Sequence, residues 1–136
     1  MTTATEYAAY YLELMLNGQD EDAFFGLIEA DPAVLPVLIE AFAKDENRTI
    51  RAQIVQCIWQ HRRRDTIGFL AEVLNEPEPG VWKEALDGLV AIESTEAIQA
   101  LQAARTRAIS EPAQRGGITV EWIDEALEQV RERGTE

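Results

Sequence analysis

The residue types that perform most enzyme chemistry are scarce in this chain. Cys57 and His61 are the only cysteine and the only histidine, and their spacing of four places them near each other on one helix. A histidine-rich metal site, or a Cys/His dyad supported by further residues of these types, therefore cannot be assembled. Ser94 and Ser110 are the only serines, and neither lies in a nucleophile-elbow sequence. We predict a non-enzymatic protein without catalytic residues, a metal site or a cofactor.

Charge is more informative than the supply of catalytic residue types. The chain has 25 acidic and 12 basic residues, which gives a net charge of −13, and such a field repels the phosphate backbone of nucleic acids. No apolar run approaches the roughly 20 residues that a membrane-spanning helix needs. The N-terminal segment has neither the basic start nor the apolar core of a signal peptide. We therefore expect a cytoplasmic protein that binds neither nucleic acid nor membrane.

A helical pattern that occurs twice, 31 residues apart, supplies the elements that must position the charged side chains. Residues 50–58 align with residues 81–89 without a gap, and the acidic turns before them, 45–47 and 76–78, also correspond. An insertion at about 106–118 lengthens the spacing of the last copy to 41 residues. Apolar residues at intervals of three and four, bounded by proline, glycine and capping residues, predict helices throughout.

These copies predict an all-α fold, a short right-handed α-solenoid of eight helices in four antiparallel pairs. A helix pair that cannot bury its apolar side alone must stack on its neighbours, and stacked copies form a quasi-linear array. We expect one domain over residues 1–136. Its pairs are a divergent N-terminal cap at 1–30 and repeats at 31–64, 65–93 and 94–133.

The first copy resembles a known repeat family. The segment from Lys44 to Arg51, followed by Ile54 and Ile58, is similar to the short HEAT-like repeats often described from phycobilisome lyases. Those repeats share an acidic turn, a valine-arginine pair and apolar positions beyond it. The second copy keeps the turn but has Trp82 where the arginine would be. The resemblance implies an armadillo-like array of the kind that chiefly binds other proteins, and it implies a bilin lyase-like activity as an alternative.

In such an array the second helices of successive pairs line the concave side, and the alignment predicts which of their residues point away from the core. Gln53, Glu84 and Glu125 form one column of equivalent positions. Carboxylates in rows repel one another, and a cationic partner would relieve that repulsion. The competing interpretation for each charged residue is an ordinary solvated helix face. The predicted partner-binding residues are Gln53, Gln56, Gln60, Trp82, Lys83, Glu84, Asp87, Asp124, Glu125 and Glu128.

Trp82 is the predicted hot spot of this surface. Tryptophan combines a large apolar area with a polar N–H group, which favours it at protein interfaces. The equivalent residue in the first copy, Arg51, is polar, so we expect this position to lie outside the core. Packing between repeats is the competing interpretation.

A basic cluster is the alternative binding surface. Lys44 and five arginines lie within 21 residues, and an acidic partner or a phosphorylated ligand could bind there. Internal pairing is the competing interpretation. The family resemblance implies that Arg51 pairs with an acidic turn, and a basic run at a helix C-terminus suits the helix dipole. The five arginines are Arg48, Arg51, Arg62, Arg63 and Arg64.

The leading hypothesis is a bacterial-type adaptor module that binds a protein partner with a basic surface through its acidic concave helices. One alternative is an immunity protein that neutralises a cationic toxin or nuclease, since small acidic proteins suit that task. A second alternative is a bilin lyase-like or phosphorylated-ligand-binding protein. Self-association through an uncapped end of the array is also open, so the sequence leaves the oligomeric state undecided.

Overall fold

Helices account for nearly all of the structure. A computed structural model describes residues 3–111 and 115–134, and these residues form α-helices and no strand. Two turns of 3-10 helix, Pro32–Val34 and Arg64–Thr66, lead into the third and fifth helices. The eight helices are α1 (Ala4–Leu16), α2 (Asp20–Ile28), α3 (Leu35–Lys44), α4 (Arg48–Trp59), α5 (Ile67–Val73), α6 (Pro79–Ile92), α7 (Thr95–Ser110) and α8 (Val120–Gly134). The all-α prediction is confirmed.

Side-chain caps explain where several helices begin. The Thr3 hydroxyl accepts a hydrogen bond from the Glu6 N–H at 3.1 Å, and the Ser94 hydroxyl accepts one from the Ala97 N–H at 3.1 Å. Each bond satisfies a backbone donor that has no partner inside its helix. Pro79 opens α6, where a missing N–H costs nothing.

The third helix begins later than its sequence pattern predicts. Asp31 caps a 3-10 turn, in which the Leu35 N–H donates to the Pro32 carbonyl, and α3 begins only at Leu35. Pro36 supplies the reason, because its nitrogen cannot donate the hydrogen bond that would make the preceding turn α-helical.

The helices form two layers. The first helices of the pairs are α1, α3, α5 and α7, and the second helices are α2, α4, α6 and α8. Within the second layer α2 packs on α4, α4 on α6 and α6 on α8, so the second helices lie side by side in chain order. In the first layer α1 contacts α3 and α5 contacts α7, while the rings of Phe42 and Phe69, with centroids 5.3 Å apart, join α3 to α5. This stacking is solenoid-like.

Helices α4 and α6 approach each other closely at Gly88. A Cβ atom placed on Gly88 would lie only 2.5 Å from the Cβ of Trp59, so a larger residue could not occupy this position without a shift. Ile54, Ile58 and Leu89 are fully buried beside this contact. They belong to one apolar cluster that runs through all four pairs, from α1 to α8.

One apolar residue of α2 lies on the opposite side from its predicted position. The sequence pattern places Phe25 in the core, but 53% of its surface is exposed. The buried stripe of α2 consists of Ala23 and Leu27, and a residue halfway between them in sequence falls nearly opposite that stripe at about 100° per residue. Gly26 faces α1 instead, with the Tyr11 ring packed against its Cα.

None of the helices in the described part of the chain is long and apolar enough to cross a bilayer.

Candidate functional site

The second helices form a surface with a groove between each neighbouring pair. The first groove, between α2 and α4, has a volume of about 230 Å³; the second, between α4 and α6, about 350 Å³; and the third, between α6 and α8, about 240 Å³. Acidic side chains line all three. They are Asp20 and Glu21 in the first groove, Glu78 and Glu84 in the second, and Asp87 and Glu125 in the third.

One column of predicted binding residues faces the preceding second helix. Gln53 of α4 donates from its Nε2 to the Asp20 carboxylate of α2 at 3.0 Å. Glu84 of α6 accepts a hydrogen bond at 3.4 Å from the indole N–H of Trp59 on α4. Glu125 of α8 lines the third groove beside α6. Residues one repeat apart thus hold the same orientation in consecutive helices.

A second set of equivalent positions, which pairs Lys83 with Asp124 and Asp87 with Glu128, faces the following helix. Its last members therefore do not line a groove between second helices. Lys83 and Asp87 of α6 line the third groove toward α8. Asp124 and Glu128 hold the same positions on α8, where no further second helix follows within the described chain. They line a separate polar depression of about 710 Å³ between α7 and α8, where the Asp124 carboxylate accepts a hydrogen bond from Arg105 at 2.6 Å.

Gln56 and Gln60 complete the predicted set. Gln56 lines both the first and the second groove. Gln60 caps the C-terminus of α4, with its backbone N–H donating to the Gln56 carbonyl at 3.1 Å, and is not among the residues that line the grooves. Of the predicted residues of α4, Gln53 and Gln56 therefore line the grooves and Gln60 does not.

Two carboxylates of α6 are held in unfavourable surroundings. Partial burial raises the pKa of Glu84, and the neighbouring Asp87 charge raises it further, although the Trp59 hydrogen bond acts in the opposite direction. Partial burial also raises the pKa of Asp87. Among the described residues neither carboxylate has a cationic group within ion-pair distance. A positive charge brought into these grooves would stabilise both ionised forms.

The second groove also contains hydrogen-bond acceptors without a donor. The Gln53 Oε1 and Glu78 Oε2 atoms are both buried, and neither accepts a hydrogen bond from any described residue. Both residues line this groove. A buried acceptor without a partner is costly, so these atoms add to the demand for a donor.

Trp82 lies in the core, and its predicted exposure was wrong. Only 2% of its surface is exposed, and its indole N–H donates to the Gly116 carbonyl at 2.8 Å. Its ring meets Trp122 edge to face, with centroids 5.4 Å apart. The competing interpretation, packing between repeats, describes this residue correctly.

Arg51 explains the error, because it holds the same structural role in the first copy. Its guanidinium pairs with Glu76 at 2.5 Å, lies 4.1 Å from the centre of the Phe42 ring, and donates to the Phe42 carbonyl at 3.3 Å. Glu76 lies in the loop before α6, just as Gly116 lies in the loop before α8. This position therefore ties each second helix to the loop that precedes the next one.

The exposed aromatic residue of the third groove is Trp122, with 42% of its surface exposed. The Lys83 ammonium lies 4.6 Å from the centre of the Trp122 ring and 5.7 Å from the centre of the Trp82 ring. The sequence alignment placed Trp122 over Val81, a core position, so it gave no signal for an exposed ring. A cation and an exposed indole thus meet at the edge of the third groove.

The five arginines of the alternative basic patch do not converge on one site. Arg48 and Arg51 lie in the first turn of α4, and Arg62 to Arg64 follow its end, about 20 Å away at 1.5 Å per residue. Arg51 is bound to Glu76, and the Arg63 guanidinium pairs with Asp65 at 3.0 Å. A single phosphate group could not contact both ends of the helix.

The cysteine and histidine have structural environments. Cys57 is fully buried, and burial raises the pKa of its thiol to about 12, so it is not a nucleophile at neutral pH. The His61 ring nitrogen Nε2 lies 2.8 Å from the Leu27 carbonyl of α2. In the described part of the chain no three histidine, cysteine, aspartate or glutamate side chains are grouped as metal ligands.

Comparison with known proteins gives one match. Residues 35–115, more than half of the chain, match the family model described as HEAT repeats. This segment runs from α3 to the loop before α8 and includes the two copies that align without a gap. This match identifies the repeat and does not distinguish the phycobilisome lyase subtype. No curated protein and no solved structure matches the chain significantly.

Proposed function

The chain belongs to the HEAT-repeat family, whose members generally bind other proteins, and we propose that it is a non-enzymatic module that binds a cationic protein on the surface of its second helices. A basic toxin or nuclease would be one partner of this chemistry.

The observation that carries the proposal is the state of Glu84 and Asp87. These two carboxylates are partly desolvated, have raised pKa values, and have no cation within ion-pair distance among the described residues. Ionised groups in such surroundings interact more strongly with an incoming positive charge than carboxylates in bulk water do. The acids that line the first and third grooves extend the same field along the stack.

The apolar and the acidic side chains of the grooves would have different roles in binding. Their walls contain apolar side chains such as Phe24, Ala52 and Leu86, which can receive the aliphatic portions of a partner's side chains. The surrounding carboxylates would accelerate encounter with a basic surface and select against acidic proteins. We expect association to weaken when salt screens these charges.

A capture experiment with a charge-reversed variant tests the proposal. The double variant Glu84→Lys and Asp87→Lys should lose a partner that the unaltered chain captures from its native cell. The matched control is the double variant Glu13→Lys and Glu72→Lys. It changes the net charge by the same amount at exposed positions of the first helices α1 and α5. The control should keep the partner, and raising the salt to about 0.5 M should release it.

The proposal fails if every captured protein is retained by the groove variant as well as by the control. It also fails if the proteins that the unaltered chain captures are acidic, because the carboxylates of the grooves would repel them. Circular dichroism of both variants establishes that the helices remain folded, so that loss of binding can be assigned to charge.

A further inference from the structure

Building on the proposed function, we infer that the third groove receives an arginine side chain of the partner, and that Lys83 occupies the aromatic part of this site until the arginine displaces it.

The first observation is the cation already held at the groove. The Lys83 ammonium lies 4.6 Å from the centre of the Trp122 ring, within the distance at which a cation is attracted to an indole face. Trp122 is 42% exposed whereas Trp82 is 2% exposed, so an external cation can reach only Trp122. The ring that binds the internal cation is thus the ring available to a partner.

The second observation is the composition of the groove. Its floor consists of Leu86, Val90 and Ala126, each 5% exposed, and its polar lining includes Asp87 and Glu125. A narrow apolar floor with carboxylates beside it fits a side chain that has a long aliphatic stem and a charged head. Arginine fits better than lysine, because a planar guanidinium can stack on an indole and donate two parallel hydrogen bonds to a carboxylate.

The third observation is that Lys83 does not neutralise these carboxylates. Within the described structure neither Asp87 nor Glu125 forms an ion pair with Lys83 or with any other cation. The internal lysine contacts the ring and leaves the acids free. An incoming guanidinium could engage the ring and an acid together, which gives it an advantage over Lys83. The second groove has no aromatic residue in its lining, so it lacks this combination.

A peptide titration of the full chain tests the inference. The probe is a glycine-serine peptide that carries three arginines, compared with peptides in which lysine or citrulline replaces arginine. Nuclear magnetic resonance at low salt follows the indole N–H of Trp122 and the backbone amides of Asp87 and Glu125. We expect these signals to shift, with affinity falling from arginine to lysine to citrulline.

Removing the internal competitor provides the sharper measurement. Lys83→Ala should tighten binding of the arginine peptide by about threefold to tenfold, since it frees the indole face and removes a like charge. Arg107→Ala is the matched control, because it removes one exposed positive charge from α7, outside the groove. On a logarithmic scale, Arg107→Ala should change the affinity less than half as much as Lys83→Ala does. Gain of binding cannot arise from misfolding. In the Trp122→Leu background, Lys83→Ala should act no more strongly than Arg107→Ala.

The inference is overturned if Lys83→Ala and Arg107→Ala have equal effects, or if the Trp122 indole signal does not move. Shifts confined to the first and second grooves would overturn it while leaving the proposed function intact. An arginine peptide that shifts no signal in any groove would contradict both.

Discussion

The two copies of the repeat, α3–α4 and α5–α6, solve the same problem with different residues. In the first copy Arg51 reaches the loop before α6 by a salt bridge to Glu76. In the second copy Trp82 reaches the loop before α8 by an indole N–H bond to the Gly116 carbonyl, and its ring contacts Trp122 in the first turn of α8. The comparison shows that the place of a residue in the repeat fixes what it must connect, whereas the polarity of the residue does not fix whether it is exposed.

The same comparison extends to the groove positions. Gln53 in the first copy corresponds to Glu84 in the second, and Gln56 corresponds to Asp87. The first copy therefore presents neutral amides where the second presents desolvated carboxylates. Arg51 and Trp82 differ in chemistry but both connect to the next loop. The residues that line the grooves differ instead in the charge that they present to a partner.

Removing the contact of Trp82 with the loop before α8 should have the largest effect on stability. Trp82→Ala removes a buried indole, leaves a cavity and deprives the Gly116 carbonyl of its donor, so we expect a loss of about 3–5 kcal/mol in the free energy of unfolding. Urea denaturation followed by circular dichroism measures it. Trp122→Ala is the comparison variant, and its exposed ring should cost less than half as much. Equal losses would show that Trp82 is not the anchor of the loop.

Breaking the tie of the first copy should cost less. Arg51→Met keeps an apolar stem over the Phe42 ring but leaves Glu76 without its partner, and we expect a loss of about 1–2 kcal/mol because the pair is partly exposed. The same urea measurement applies. Glu40→Gln breaks the exposed pair with Lys44 and should produce no measurable change. A loss for Arg51→Met as large as that for Trp82→Ala would contradict the ranking of the two ties.

Making the second copy resemble the first should have the smallest effect, with the opposite sign. Glu84→Gln should stabilise the fold at neutral pH by less than about 1 kcal/mol, since solvent screens a side chain that is only partly buried. Because the folded-state pKa of Glu84 is raised above 4.5, its destabilising contribution is full above the raised value and disappears as the pH falls below 4.5. The variant's advantage should therefore vanish on acidification.

Thermal unfolding at several pH values measures this difference. The control is Glu125→Gln, which removes one exposed carboxylate at the equivalent position of α8 and so accounts for the change in net charge. An advantage of Glu84→Gln that grows as the pH falls would contradict the assigned direction of the pKa shift.

Repetition made the fold predictable. The spacing of 31 residues identified equivalent helices before any contact was known, and capping residues marked helix starts, as the Thr3 and Ser94 hydroxyls do in the structure. The first pair has little similarity to the later copies, so nothing in the alignment placed Asp20 beside Gln53. Phe25 was assigned to the core for the same reason, since a run of apolar residues in a short helix does not define one face.

The candidate site was less predictable because alignment gives equivalence and not environment. The alignment identifies the column through Glu84 as a set of equivalent positions, but the contact of Lys83 with Trp122 joins two helices across an insertion. Trp82 was misplaced because Arg51 was assumed to be solvated, although the stem of an arginine can be buried while its head is paired. Such contacts depend on tertiary distances that spacing along the chain does not contain.

The side-by-side order of α2, α4, α6 and α8 sets a length scale for recognition. Packed helices have axes about 8–10 Å apart, so consecutive grooves recur at that interval. A polypeptide in the polyproline II conformation advances about 9 Å in three residues and presents every third side chain on the same side. A segment with basic residues at every third position would thus bring successive side chains to successive grooves, whereas an α-helix, which rises about 5.4 Å per turn, would fall out of step.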